Sequence, residues 1–182
     1  MKIVFTSLLS VVAGRRIDVL LPFKGLTKGE IVATLNSDGL RELARSTVSC
    51  ASYPLRQQTR KSCGLCAACI FRRVALHAAD IDEVADAYQH DVLELRSTAP
   101  MKKMNYLRAF LNQIDSLVET DQGRLPTIIT NHLRRTGLIK QGESEKDYID
   151  LYRKYRREWL DFAAKAKRNG CEWANQMDLP AA

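Results

Sequence analysis

Four cysteines constrain this chain more than any other feature: Cys50, then Cys63, Cys66 and Cys69, in the spacing C-x12-C-x2-C-x2-C. A Cys-x-x-Cys turn points two sulfurs at one centre, and Gly64 lets the backbone bend tightly between them. Cys69 lies about one helical turn after Cys66 and faces the same point, while Cys50 returns from the far side of a loop. Four thiolates around one centre suit tetrahedral zinc, with Zn–S near ~2.3 Å. With all four positions taken by protein, no place is left for a reacting water, so the metal is expected to fasten the loop.

Other uses of these sulfurs fit less well. A ferredoxin-type cluster wants a further cysteine and a proline soon after Cys69, and Ile70-Phe71-Arg72-Arg73 offers neither. A redox pair needs only Cys63 and Cys66 and leaves Cys50 and Cys69 without a role. Two disulfides would require secretion, and sulfurs at i, i+3 and i+6 are awkward for disulfide geometry. Cys171 lies far along the chain and reads as a lone thiol.

Charge is unevenly placed. The net charge of +7 over 182 residues divides into +2 for residues 1–40, +6 for 41–76, −5 for 77–100 and +4 for 101–182. The cysteine-bearing segment is thus the most basic. Two explanations stand side by side: attraction of nucleotides, phosphates or RNA, or compensation of the negative charge of zinc-bound thiolates. Apolar residues make up 46% of the chain, enough to offset ordering entropy and build a core.

Ile3–Phe5 and Ile17–Leu21 read as short buried strands separated by Ala13-Gly14. The run Ile3–Ala13 after Lys2 also has the outline of a short signal peptide, but cysteine usage favours a reduced, cytoplasmic setting. No stretch reaches the ~18 apolar residues of a membrane span. Thr27-Lys28-Gly29-Glu30 is a capping box that starts a helix over Lys28–Ser37, with Ile31, Val32 and Leu35 on its apolar face. Leu40–Arg45 is a second short helix and residues 46–62 a loop. Past Cys66, Ile70, Val74, Leu76 and Ala78 ride another helix, and Asp80 or Asp82 is expected to cap one running to Leu95. Ser97–Pro100 is a break.

Beyond it the pattern is helical. Met104, Leu107, Leu111, Ile114 and Leu117 recur at three- and four-residue spacing. Ile128, Ile129 and Leu133 mark a shorter helix closed by Gly137. Ser144 starts a long one to Arg168, with Tyr148, Leu151, Tyr155, Trp159 and Phe162 inward and Gly170 as its stop. The last ten residues read as a tail.

Pro22-Phe23 before Leu26-Thr27-Lys28-Gly29-Glu30-Ile31-Val32, then Ser49-Cys50, then Cys63-Gly64-Leu65-Cys66-Ala67-Ala68-Cys69 with Arg72 three residues on, resembles the C-terminal part of the 7-cyano-7-deazaguanine synthases, the QueC-type enzymes. Arg72-Arg73-Val74-Ala75-Leu76-His77-Ala78-Ala79 is closer still to the QueC-like component of Qat anti-phage defence systems. The resemblance covers about residues 17 to 90. It implies ATP-dependent conversion of a 7-carboxy-7-deazaguanine to the amide and then the nitrile. It also implies zinc on Cys50, Cys63, Cys66 and Cys69, and the PP-loop branch of the adenine-nucleotide α-hydrolase-like fold.

The family's ATP-pyrophosphate loop, Ser-Gly-Gly-x-Asp-Ser, is absent, and no two of the nine glycines are adjacent. Asn36-Ser37-Asp38-Gly39 is no equivalent, because it ends a helix. The expectation is therefore a mainly α chain with a small α/β N-terminal part. Residues 1–96 would be the C-terminal part of a QueC-like domain and 97–182 a helical extension. ATP would enter only beside an N-terminal PP-loop half or defence-system subunits. Lys28, at the N-terminus of a capped helix, fits a phosphate contact, or is a surface lysine. Arg72 and Arg73 could clasp a phosphate or carboxylate, or pair with acids such as Asp80 or Asp82. His77 reads as a packing histidine. The competing function is a non-enzymatic zinc module binding nucleic acid or a partner protein.

Overall fold

The computed structural model describes residues 2–52, 61–83, 86–94, 104–121, 125–137, 139 and 145–175. They form eight helices: α1 (Lys2–Ala13), α2 (Lys28–Ser37), α3 (Arg41–Ser46), α4 (Ala67–Ala78), α5 (Asn105–Asp121), α6 (Leu125–Arg135), α7 (Lys146–Arg168) and α8 (Glu172–Asn175). The chain is mainly α. Among the described residues there is no strand, and the one β-type pairing is an isolated parallel bridge between Ser62 and Tyr88.

The local signals explain most of these boundaries. α2 opens on the full capping box: the Thr27 hydroxyl accepts from Glu30 N at 3.0 Å, and the Glu30 carboxylate accepts from Thr27 N at 2.9 Å. α7 closes where expected. Gly170 takes φ +78°, its N–H reaches Lys167 O, and Cys171 N–H reaches Ala166 O. That pair of bonds satisfies the last carbonyls in a Schellman motif.

α4 is the centre of the molecule, packed between α2 on one side and α7 on the other. The main core joins Leu65, Ile70 and Val74 to Leu107 and Ile114 of α5, Leu133 of α6, Trp159 and Phe162 of α7 and Trp173 of α8. Aromatic rings knit it: Phe71 meets Phe110 edge-on at 4.6 Å, and Phe110 lies 5.1 Å from Trp159. Trp159 and Phe162 are fully buried, each stabilising by ~1.5–3 kcal/mol. A smaller cluster of Ala44, Leu76, Ala79 and Ile81 lies under Val32 and Leu35 of α2. The α5 stripe Met104, Leu107, Leu111, Ile114 and Leu117 is buried throughout.

Several expectations are corrected. Ile3–Phe5 is helical, and Ile17–Leu21 is irregular and has no strand partner among the described residues. An apolar run with no sheet edge beside it satisfies its backbone groups within a helix instead. No helix runs from Asp80 or Asp82 towards Leu95: the described part is coil and turns, because its acidic side chains and Tyr88 are recruited as partners for α4. The tail begins later than expected, since Trp173 and Ala174 are buried in α8. The break at Ser97–Pro100, the boundary at 96/97, the Ser144 cap and residues 176–182 lie outside the described residues.

Candidate metal centre

The cysteine loop is built from three pieces that meet at the start of α4. Cys50 follows α3, Cys63 sits in the turn, Cys66 is the N-cap of α4, and Cys69 is in its first turn. The four sulfurs all lie within 4.8 Å of one another, and Cys63 and Cys69 Sγ are 3.9 Å apart. None is in a disulfide. A tetrahedron of zinc–sulfur bonds of ~2.3 Å places sulfurs about 3.8 Å apart, so the group fits one such ion.

Backbone N–H groups already aim at the sulfurs. Cys63 N reaches Cys50 Sγ at 3.4 Å, Cys66 N reaches Cys63 Sγ at 3.4 Å, and Ala51 N and Cys69 N both reach Cys66 Sγ at 3.5 Å. Donors on sulfur favour the thiolate. Burial pushes the Cys50 thiol up, but the N–H groups of Cys63 and Ser52 outweigh it and bring the group down to about 7. Cys69, the most deeply buried, is held above its ordinary value by burial and by its neighbouring thiols. A cation at the centre is what would relieve that repulsion.

The turn carries a strict steric condition. Gly64 takes φ +81°, and a Cβ built there would fall 1.9 Å from His90 O. The segment 86–91 therefore passes directly over the cysteine turn. It is tied on by Ser62 N to Ala87 O at 3.0 Å and Gln89 N to Ser62 O at 2.8 Å.

Arg72 and Arg73 bind this strap to the helix behind it. Arg72 donates to Tyr88 Oη at 2.6 Å and to Arg45 O at 2.7 Å, and Tyr88 donates to Glu83 Oε1 at 2.7 Å. Arg73 pairs with Glu83 at 2.7 Å and with Asp91, and its guanidinium lies 4.7 Å above the Tyr88 ring. Burial pulls the Arg73 pKa down, but Asp91 and Glu83 more than restore it. Both guanidinium groups are thus committed to protein acceptors. The partners are Glu83 and Asp91, beside the Asp80 and Asp82 considered from sequence. Their signal was the acidic segment directly following the basic one.

Lys28 stands elsewhere, exposed at the N-terminus of α2. It lines a cavity of about 390 Å³ between α2, α4 and α7, together with Phe71, Val74, Tyr155 and Glu158. His77 packs against Phe162 at 5.8 Å. Cys171 is buried and donates to Leu93 O.

Residues 3–80, less than half of the chain, match the family described as queuosine biosynthesis protein QueC. The matched segment holds α1 to α4 and all four cysteines. No curated protein and no solved structure matches the chain.

Proposed function

We infer that this chain, a QueC-like family member over residues 3–80, is the zinc-bearing part of a QueC-like 7-cyano-7-deazaguanine synthase or of a related anti-phage defence enzyme. The observation that carries this reading is the four-sulfur group within 4.8 Å inside the matched segment. Cys50, Cys63, Cys66 and Cys69 would hold zinc, which with four thiolates supplies a structural staple and no open coordination position. Free cysteines suit a reducing, cytoplasmic compartment.

The ATP-dependent chemistry would need a partner carrying the PP-loop, since the sequence holds no Ser-Gly-Gly-x-Asp-Ser. α1 supports a protein partner. Val4, Phe5, Leu8, Leu9, Val11 and Val12 share one face of it and are exposed, with Thr6 and Ser10 on the other, and Leu20, Leu21 and Phe23 are exposed after it. An exposed apolar face of this size wants a partner to cover it. Its 12 residues span ~18 Å, short of the ~30 Å hydrocarbon core, and no described helix is long and apolar enough to cross a membrane. The segment Ile17–Leu21, which has no strand partner among the described residues, would join the partner's sheet as a strand and complete the PP-loop fold.

Nucleic-acid binding has less support. Arg41, Arg45, Lys61, Arg72 and Arg73, the described cations of the basic segment, each lie within 4.0 Å of a carboxylate oxygen.

The test is metal analysis joined to an ATP–pyrophosphate exchange assay. One zinc per chain is expected, with no exchange by the chain alone and exchange with the deazaguanine acid once a PP-loop polypeptide is added. A zinc-free folded protein, or exchange by the chain unaided, overturns the reading.

A further inference from the structure

The cavity beneath α2 is made by two halves of the chain. α2 and α4 of the matched segment supply Lys28, Phe71 and Val74, and α7 supplies Tyr152, Tyr155 and Glu158. Its volume of about 390 Å³ is that of an ordinary small-ligand site. Most of the wall is apolar or aromatic, with Phe71 and Tyr155 rings 6.0 Å apart along it.

One end carries two opposite charges. The Glu158 carboxylate takes hydrogen bonds from the Thr27 hydroxyl and the Gly29 N–H, the residues on either side of Lys28. The contact is close: a Cβ on Gly29 would lie 2.5 Å from Glu158 Oε1. Burial holds the Glu158 carboxyl above its usual range, and the nearby acids Glu30 and Asp161 push the same way. The cation at this cap, Lys154, is spent on Glu30 at 2.7 Å. Glu158 is therefore a carboxylate short of positive charge. Lys28 is exposed at the rim of the same end, and among the described residues no acidic side chain forms an ion pair with it.

We propose that this cavity binds a free aromatic α-amino acid, its ring against the Phe71–Tyr155 wall, its ammonium on Glu158 and its carboxylate on Lys28. The match is one of charge order as well as shape. An aromatic amine satisfies Glu158 and wastes Lys28, and an aromatic acid meets Lys28 but faces Glu158 without a cation. Only a zwitterion with an apolar ring uses all three features at once, and leaving one charged partner unmet is what discriminates analogues. The site is independent of the zinc loop and of any PP-loop partner.

The test is calorimetric titration of the full chain with L-phenylalanine and L-tryptophan, beside phenethylamine and 3-phenylpropionate. The amino acids should bind about tenfold or more tightly than either single-charge analogue. Lys28→Gln, at an exposed position, should reduce L-phenylalanine to the affinity of phenethylamine. Glu158→Gln, which keeps an acceptor for Thr27 and Gly29, should reduce it to that of phenylpropionate. Ala75→Leu, on the cavity wall, should abolish binding of all four. Absence of saturable heat with both amino acids overturns the proposal. Equal affinity for the amine or the acid, or indifference to both charge substitutions, does the same. Zinc content and exchange activity do not enter this titration, so its failure leaves the synthase reading standing.

Discussion

Gly64 and His90 are in contact so close that no side chain can stand between them: a Cβ at position 64 would fall 1.9 Å from the His90 carbonyl oxygen, and the backbone there has φ +81°. The cysteine turn and the strap that covers it are one unit. Neither can move without the other.

Gly64→Ala should therefore lose the metal site rather than merely soften it. The added methyl must displace backbone, and an L residue at this φ carries a further cost of about 1 kcal/mol. Zinc content of the purified variant, by atomic spectroscopy, is expected to fall well below one per chain. A variant that keeps full zinc would show that the strap yields without disturbing the sulfurs.

Removing one of the four clustered sulfurs should be worse for the metal than removing the buried thiol outside the cluster. Cys69→Ser deletes the most deeply buried candidate ligand, whereas Cys171→Ser removes a thiol far along the chain. Structural zinc contributes its binding free energy to folding. Chelation of the wild type and Cys69→Ser are expected to lower the melting temperature by similar amounts, and Cys171→Ser is expected to keep its zinc. A chelator that leaves the melting curve unchanged would mean that the sulfurs do not hold the loop through a metal.

Much of this arrangement was legible in the residues. The C-x12-C-x2-C-x2-C spacing needs no tertiary knowledge, and the four sulfurs do converge. The Thr27–Glu30 box and the α5 and α7 stripes were equally local signals. The strap was not legible as a strap. Asp80-x-Asp82 has the composition of a helix start, but Glu83, Tyr88 and Asp91 are claimed by two buried arginines of α4. Tertiary pairing overrode local propensity. At the N-terminus, Ile3–Phe5 has strand composition, but a strand requires a neighbour and the described residues provide none.

The buried arginine pair gives a sharper prediction. Arg73 is 4% exposed and grips both Glu83 and Asp91. Arg73→Ala leaves Glu83 partly buried without its closest cation, a loss of about 3 kcal/mol or more. Arg73→Lys should recover only part, since one ammonium cannot serve two carboxylates in the plane of a fork. Glu83→Gln is expected to cost less, and the double variant Arg73→Ala, Glu83→Gln less than the sum of its parts. Denaturant melts of the four proteins check this. Strict additivity would show that the two groups do not act on each other.

Glu158 supplies the pH test. Its folded pKa is raised above 4.5 by burial first and by Glu30 and Asp161 after it, in spite of the hydrogen bonds from Thr27 and Gly29. A carboxyl raised on folding contributes stability that is fully present below the unfolded value, and that stability is lost as pH rises through the folded value. At neutral pH the ligand-free protein therefore carries an unfavourable charge at this position. Glu158→Gln removes the charge and keeps an acceptor for both donors. The variant is expected to melt above the wild type at pH 7, and the gain should shrink towards zero as the pH falls below 4.5. Thermal melts of the two proteins across that range measure it directly. A variant less stable than the wild type at pH 7 would show that the dipole of α2 and the Thr27 and Gly29 donors outweigh the burial of the charge.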